Sequence, residues 1–215
     1  IVGQHWETTF PAEFLGDDVE VLGKLPKNVG EAFAKAAKPA VIVGGGGLAA
    51  GALDSALGLA AEWNLVREGW NGFNVLHFAA ARRGALMLGF AQKGGIADLV
   101  NAKPKVLLAL GADEVDFTRF PDALKVYIGH HGDKGAHAAD VILPGAAYTE
   151  KPGIYVNAEG RVQYADKAVF APGDAREDWT ILRALADALD VSVGFDSFHE
   201  LRAAMVAEVP VLGVE

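Results

Sequence analysis

Apolar residues run through this chain in short dense bursts closed by glycine or proline, alternating with longer stretches of helical period. Bursts of that kind read as strands buried in a parallel sheet. They fall at residues 39–43 (PAVIV), 105–110 (KVLLAL), 125–129 (KVYIG) and 140–143 (DVIL). The first runs into four glycines at 44–47, the second into Gly111-Ala-Asp-Glu, and the last into Pro144-Gly145. Helices are predicted at 28–37, 48–64, 70–83, 96–102, 177–189 and 197–208. In the third of these, Phe73, Leu76, His77 and Ala80 share one face and Trp70 and Phe73 anchor it, while 84–93 reads as loop. In the fifth, Trp179, Leu182, Leu185 and Leu189 form the apolar stripe, and Asp174 stands three residues before Glu177 as a cap. Residues 1–38, broken by prolines and glycines, read as a connecting region ahead of an α/β domain over 39–215. The fold class expected is α/β, a doubly wound, mostly parallel sheet with helices on both faces.

Composition narrows the function classes. The chain has 215 residues, 51% of them hydrophobic, which is enough to bury a substantial core. A net charge of −9 disfavours a nucleic-acid or anionic-membrane surface. The chain holds 0 cysteines, so these residues carry no disulfide, thiolate zinc site or cysteine-ligated iron–sulfur cluster. The most apolar window, 40–61, is too rich in glycine to read as a membrane span. The start has no signal-peptide pattern and no Met, and it reads as cut from something longer.

Three places offer chemistry, each with a plainer alternative. Gly44, Gly46 and Ala49 fit a G-x-G-x-x-A turn that would cradle a phosphate on backbone amides. Four glycines in a row satisfy almost any such spacing, no acidic partner follows at the expected distance, and the glycines serve equally to pack a helix on a strand. Asp113 and Glu114 end a strand, but neighbours on an extended chain point opposite ways, so a turn is the alternative to an acid–base pair. His130, His131, Asp133, His137 and Asp140 have the ligand types for zinc or iron and no metal-motif spacing. His77 reads as a packing residue. The stretch 125–163 holds the polar residues of most interest, at the carboxyl end of a strand, where open α/β sheets collect ligands and partners.

The same stretch, GHHGDKGAHAADVILPGAAYTEKPGIYVNAEGRVQ, resembles the large iron–sulfur subunit of NADH–quinone oxidoreductase, respiratory complex I. Its looser form, A-D-V-I-L-P, then E-K-x-G, then N-x-E-G-R-x-Q, is similar to that of the wider molybdopterin oxidoreductase superfamily. The paired histidines, GAAYTEKPGIYVN, the GADE at 111–114 and the REDW at 176–179 are similar to the complex I branch. The resemblance covers about 39–212.

The resemblance implies a segment of a longer subunit, whose cysteine-bound iron–sulfur clusters lie in an N-terminal part, with a molybdopterin-enzyme fold here that generally lacks its pterin. It implies no cofactor, metal or catalytic residue in this segment, with Gly44, Gly46, Gly111 and Asp113 lining the vestigial pocket. Catalytic members often read G-x-N-P where this chain has Gly111-Ala-Asp-Glu, and carboxylates there repel an anionic phosphate. Asp140, Pro144, Glu150, Asn157, Glu159, Gly160 and Arg161 then have a structural role, Arg161 through a bidentate pair with a carboxylate. The implied partners are other peripheral-arm subunits of complex I, with no nucleic acid and no direct membrane insertion. The implied location is the cytoplasmic side of the bacterial inner membrane, or the mitochondrial matrix side. The competing reading is a pterin-nucleotide-binding domain of a molybdenum oxidoreductase.

Overall fold

A computed structural model describes residues 1–49 and 51–213. The chain divides into two compact units, Ile1–Arg82 and Arg83–Glu215.

In the first unit a 3-10 turn capped by the Asp18 carboxylate precedes α1 (Lys27–Lys35). Strand β1 (Val41–Val43) follows, then α2 (Gly45–Ala49) and α3 (Leu53–Glu62). The single helix expected over 48–64 is thus two, with Gly51 at φ +78° between them, a conformation that suits glycine and interrupts a helix. Trp63 stacks on Phe33 with ring centroids 4.1 Å apart, pinning the end of α3 to α1.

The helix expected over 70–83 is absent. In its place are β3 (Trp70–Asn71), paired antiparallel with β2 (Val66–Arg67), and β4 (Phe73–Val75), paired parallel with β1. Long-range bonds outweigh the helical spacing here. The Trp70 indole N–H donates to the Pro39 carbonyl at 2.8 Å, and the Val41 N–H donates to the Gly72 carbonyl at 2.7 Å. His77 consequently lies beyond β4, half-buried, and not on a helix face.

α4 (Arg82–Met87), whose later part falls where a loop was expected, begins at the last residue of the first unit, and α5 (Gly95–Asn101) follows in the second. Then come β5 (Val106–Leu110), β6 (Leu124–Gly129), the short α6 (Lys134–Ala138) and β7 (Val141–Pro144). The three strands form one parallel sheet in the order β5-β6-β7. Its core face carries Leu107, Ala109 and Tyr127 against Phe117, Phe120 and Ala123 of the β5–β6 connection, with Ala136, Ala138 and Ala139 of the β6–β7 connection alongside. β7 is not the buried strand expected. Val141 is 41% exposed and Ile142 53%, because β7 pairs with β6 along one edge and little packs on it.

The chain continues into an antiparallel hairpin, β8 (Gly153–Val156) and β9 (Val162–Ala165), which no hydrophobic period announces. It ends with α7 (Asp178–Ala188) and α8 (Phe198–Glu208). Asp174 does not cap α7; the N-cap is Glu177, whose carboxylate accepts the Trp179 indole N–H at 2.7 Å. α8 starts in a full capping box, Ser197 with Glu200.

Phe120 is 3% exposed in the core cluster and Phe170 is 85% exposed. Phe120→Ala is expected to cost about 3–5 kcal/mol by chemical denaturation, and Phe170→Ala less than about 0.5 kcal/mol. Equal losses would show that the core lies elsewhere.

Candidate functional site

The carboxyl ends of β5, β6 and β7 carry the sharpest polar arrangement. β5 ends at Gly111, whose φ of +57° turns the chain away from the strand. The turn delivers Asp113, half-buried, toward the start of α6. One carboxylate oxygen, Oδ1, accepts the Gly135 N–H at 2.9 Å, and the other, Oδ2, accepts the Tyr127 hydroxyl, also at 2.9 Å. Gly129 and Gly135 sit so close to the Tyr127 ring that a Cβ on either would overlap it. The ring is therefore held in a slot made of two glycines, with its hydroxyl aimed at Asp113. Glu114, next in the chain, is exposed and makes no bond of this set.

This environment raises the Tyr127 hydroxyl pKa from 10.0 to about 12. Burial is the largest cause, followed by the hydrogen bond to Asp113 and the charge of that carboxylate.

The motif residues beyond the strand ends make bonds to neighbouring segments of chain. The Asp140 carboxylate accepts the Lys125 N–H at 2.8 Å while the Asp140 N–H donates to the Lys125 carbonyl at 2.9 Å, joining the entrances to β6 and β7. The Pro144 carbonyl accepts the Arg176 N–H at 3.1 Å, and the Ala146 N–H donates to the Arg176 carbonyl at 2.7 Å. Gly145 between them leaves no room for a side chain, since a Cβ would lie 2.8 Å from Asp178 Oδ1. The Glu150 carboxylate closes its own turn on the Ala147 N–H at 2.9 Å, and Lys151 forms an ion pair with Asp178 at the head of α7.

Asn157, Glu159, Gly160 and Arg161 make the tip of the β8–β9 hairpin. Asn157 Oδ1 accepts the N–H groups of Glu159 and Arg161 at 3.0 and 2.9 Å, and Gly160 takes φ +83°. An Asx turn with a left-handed glycine is a standard way to close a short hairpin loop. The carboxylate pair expected for Arg161 is not there. Its side chain is exposed and has no ion-pair partner among the described residues, because the hairpin carries it outward.

The other candidates stay separate. Gly44 and Gly46 belong to the first unit, Gly111 and Asp113 to the second. The Gly44 carbonyl accepts the Leu48 N–H at 3.0 Å, and a Cβ on Gly45 would overlap the Phe78 ring. Packing thus accounts for at least one glycine of that turn. His130 and His131 meet edge to face at 4.4 Å, and among the described residues no group of three or more His, Cys, Asp or Glu side chains is placed to hold a metal. Sequence reasoning passed over Tyr127 altogether. The signal available was the pair of glycines two and eight residues after it.

The model of the molybdopterin oxidoreductase family matches residues 1–188. The chain belongs to the molybdopterin oxidoreductase family. It is 44% identical over 220 residues to the mitochondrial NADH-ubiquinone oxidoreductase 78 kDa subunit of Neurospora crassa, covering 99% of this chain and 29% of that protein. It is 40% identical over 215 residues to an NADH-quinone oxidoreductase subunit of Rickettsia felis, covering 96% of this chain and 31% of that protein. To the NADH-ubiquinone oxidoreductase 75 kDa subunit of Reclinomonas americana it is 38% identical, over 97% of this chain and 32% of that protein. This molybdopterin oxidoreductase family chain therefore spans less than a third of the length of these relatives. No helix among its described residues is long and apolar enough to cross a membrane.

Tyr127 supplies a pH-dependent test. Its folded pKa lies above the unfolded value of 10.0, so its contribution to stability is complete below pH 10 and is lost as pH rises toward 12. Absorbance at 295 nm is expected to show one of the 4 tyrosines ionising near pH 12, and Tyr127→Phe to remove that step. A late step that survives the substitution would mean that another tyrosine carries it.

Proposed function

We propose that this chain is a structural, cofactor-free segment of the large iron–sulfur subunit of an NADH–quinone oxidoreductase. It scaffolds the peripheral arm that carries electrons from NADH to quinone, coupled to proton translocation. Its partners are other peripheral-arm subunits. Its location is the cytoplasmic face of a bacterial inner membrane or the matrix face of a mitochondrial one. The iron–sulfur clusters belong to parts of the subunit other than these residues. The names of the relatives support the complex, and the position of Asp113 supports the absence of a pterin nucleotide.

The second argument is electrostatic. In an α/β sheet an anionic nucleotide is received by free backbone amides at the carboxyl ends of strands. Here the Gly135 amide already donates to Asp113, so the chain supplies its own anion at that position. An incoming phosphate would meet a carboxylate and lose an amide donor. The donor set does not fit a pterin pyrophosphate, and no chemical step is assigned to these residues.

The family match favours a second reading, a pterin-nucleotide-binding domain of a molybdenum enzyme. Mass spectrometry and metal analysis of the purified full-length subunit separate the two. The scaffold reading expects neither pterin nor molybdenum or tungsten, whereas stoichiometric pterin would replace it with the second.

Arg161 tests the scaffold role itself. Its guanidinium is exposed and without an ion-pair partner among the described residues, as an interface arginine would be before assembly. Arg161→Ala is expected to lower the amount of assembled complex on native gels while leaving the melting temperature of the isolated full-length protein unchanged. A fully assembled but inactive complex would refute that role.

A further inference from the structure

His130 and His131 follow directly on β6, where the chain bends after Gly129. Neighbours on an extended chain point opposite ways. The bend instead brings these two rings together, with centroids 4.4 Å apart and planes at 73°. Both residues are exposed, and neither ring has a hydrogen-bond or ion-pair partner among the described residues. That sets them apart from Asp113, Asp140, Glu150 and Asn157, whose side chains are all bonded to backbone amides.

The charge around the pair favours a cation. Segments 111–116 and 130–138 hold the four carboxylates of Asp113, Glu114, Asp116 and Asp133 against the single ammonium of Lys134. Three of those carboxylates, Asp113, Asp133 and Glu114, act electrostatically on the Tyr127 hydroxyl, three residues before His130 on the same strand. The Asp133 carboxylate, two residues after His131, does not cap α6. Such a surface repels an anion and draws in a metal ion.

Imidazoles select the kind of ion. Neutral imidazole nitrogen suits zinc, nickel and copper, whereas magnesium and calcium take oxygen ligands. Two imidazoles on one such ion, each with a metal–nitrogen distance of about 2.0–2.1 Å, stand with ring centroids roughly 4.5–5.3 Å apart. The 4.4 Å found here is within a small side-chain rotation of that spacing. A closed structural zinc site takes four protein ligands, and no group of three or more is placed to hold a metal among the described residues. The arrangement therefore fits an open, two-ligand site at the surface, with water in the remaining positions.

We propose that His130 and His131 together bind one divalent late transition-metal ion, of the zinc, nickel and copper class, at the carboxyl end of β6. The ion bridges the bend between β6 and α6. The second ring binds intramolecularly once the first has bound, so the affinity depends on the bend that holds the two together. No reaction is assigned to the ion. Neither the scaffold role nor the pterin alternative bears on the site, which uses the residues of one bend only.

The test adds Ni2+ to the full-length subunit and reads the labelling of each histidine by diethyl pyrocarbonate in the mass spectrometer. Without metal both His130 and His131 are expected to label. With metal they are expected to be protected together, at a Ni2+ concentration at least about 10-fold below that protecting the exposed His199. His130→Asn is expected to raise the concentration that protects His131 by at least about 10-fold, and His131→Asn to do the same for His130. Mg2+ at the same concentrations is expected to protect neither. Protection of the pair only where His199 is also protected would overturn the proposal, as would a pair that fails to label without metal. Protection of His131 unchanged by His130→Asn, or equal protection by Mg2+, would overturn it too. Should either variant fail to fold, the comparison with His199 in the unsubstituted protein decides alone.

Discussion

The second unit is organised around one carboxylate. Asp113 leaves the end of β5, holds the hydroxyl of a tyrosine from β6 and accepts an amide from α6. Three successive pieces of chain are thereby tied at the level where the sheet ends. The tie needs two glycines flanking the Tyr127 ring, a positive φ at Gly111 and a buried aromatic ring, and each makes sense only with the others. Removing the tyrosine hydroxyl would leave a half-buried carboxylate with one donor fewer, and burial without a partner is what polar groups resist most. An interaction of this kind stabilises a fold and, by the same geometry, uses up the amide that an anionic ligand would need.

The remaining motif residues extend that logic outward. Asp140 joins strand entrances, Glu150 closes a turn, Lys151 draws that turn to the first turn of α7, and Asn157 with Gly160 shapes a hairpin tip. The carboxylate of Asp178 also sits favourably at a helix N-terminus. Each bond is local and modest. Together they fix where the exposed hairpin and its arginine stand relative to the sheet.

How much of this could be read from the residues depends on where the determining contact lies. Strands β5, β6 and β7 were legible because apolar bursts stopped by glycine or proline leave few alternatives. α7 was legible because its apolar stripe, Trp179, Leu182, Leu185 and Leu189, keeps a helical spacing. The segment 70–83 was misread because Phe73, Leu76 and Ala80 satisfy a helical spacing, while the deciding bonds come from Pro39 and Val41, some thirty residues earlier. The hairpin was missed because β8 and β9 are short and half-exposed, and its signal is the turn chemistry of Asn157 and Gly160, not a hydrophobic period. Exposure of β7 was unforeseen for another reason. Burial of a strand depends on what packs against it, and a short apolar run does not encode that.

Membership of the molybdopterin oxidoreductase family does not by itself assign chemistry to the motif residues. A fold hosts many functions, and function has to be argued from the site. Here A-D-V-I-L-P, E-K-x-G and N-x-E-G-R-x-Q are spent on backbone bonds: a strand entrance, a turn with its ion pair, and a hairpin loop. Such residues would be kept by a catalytic enzyme and by a scaffold alike, so they identify the architecture and are silent about catalysis. The position that distinguishes the two is Asp113, because a carboxylate bonded to the Gly135 amide cannot share that amide with a phosphate without a cost in charge.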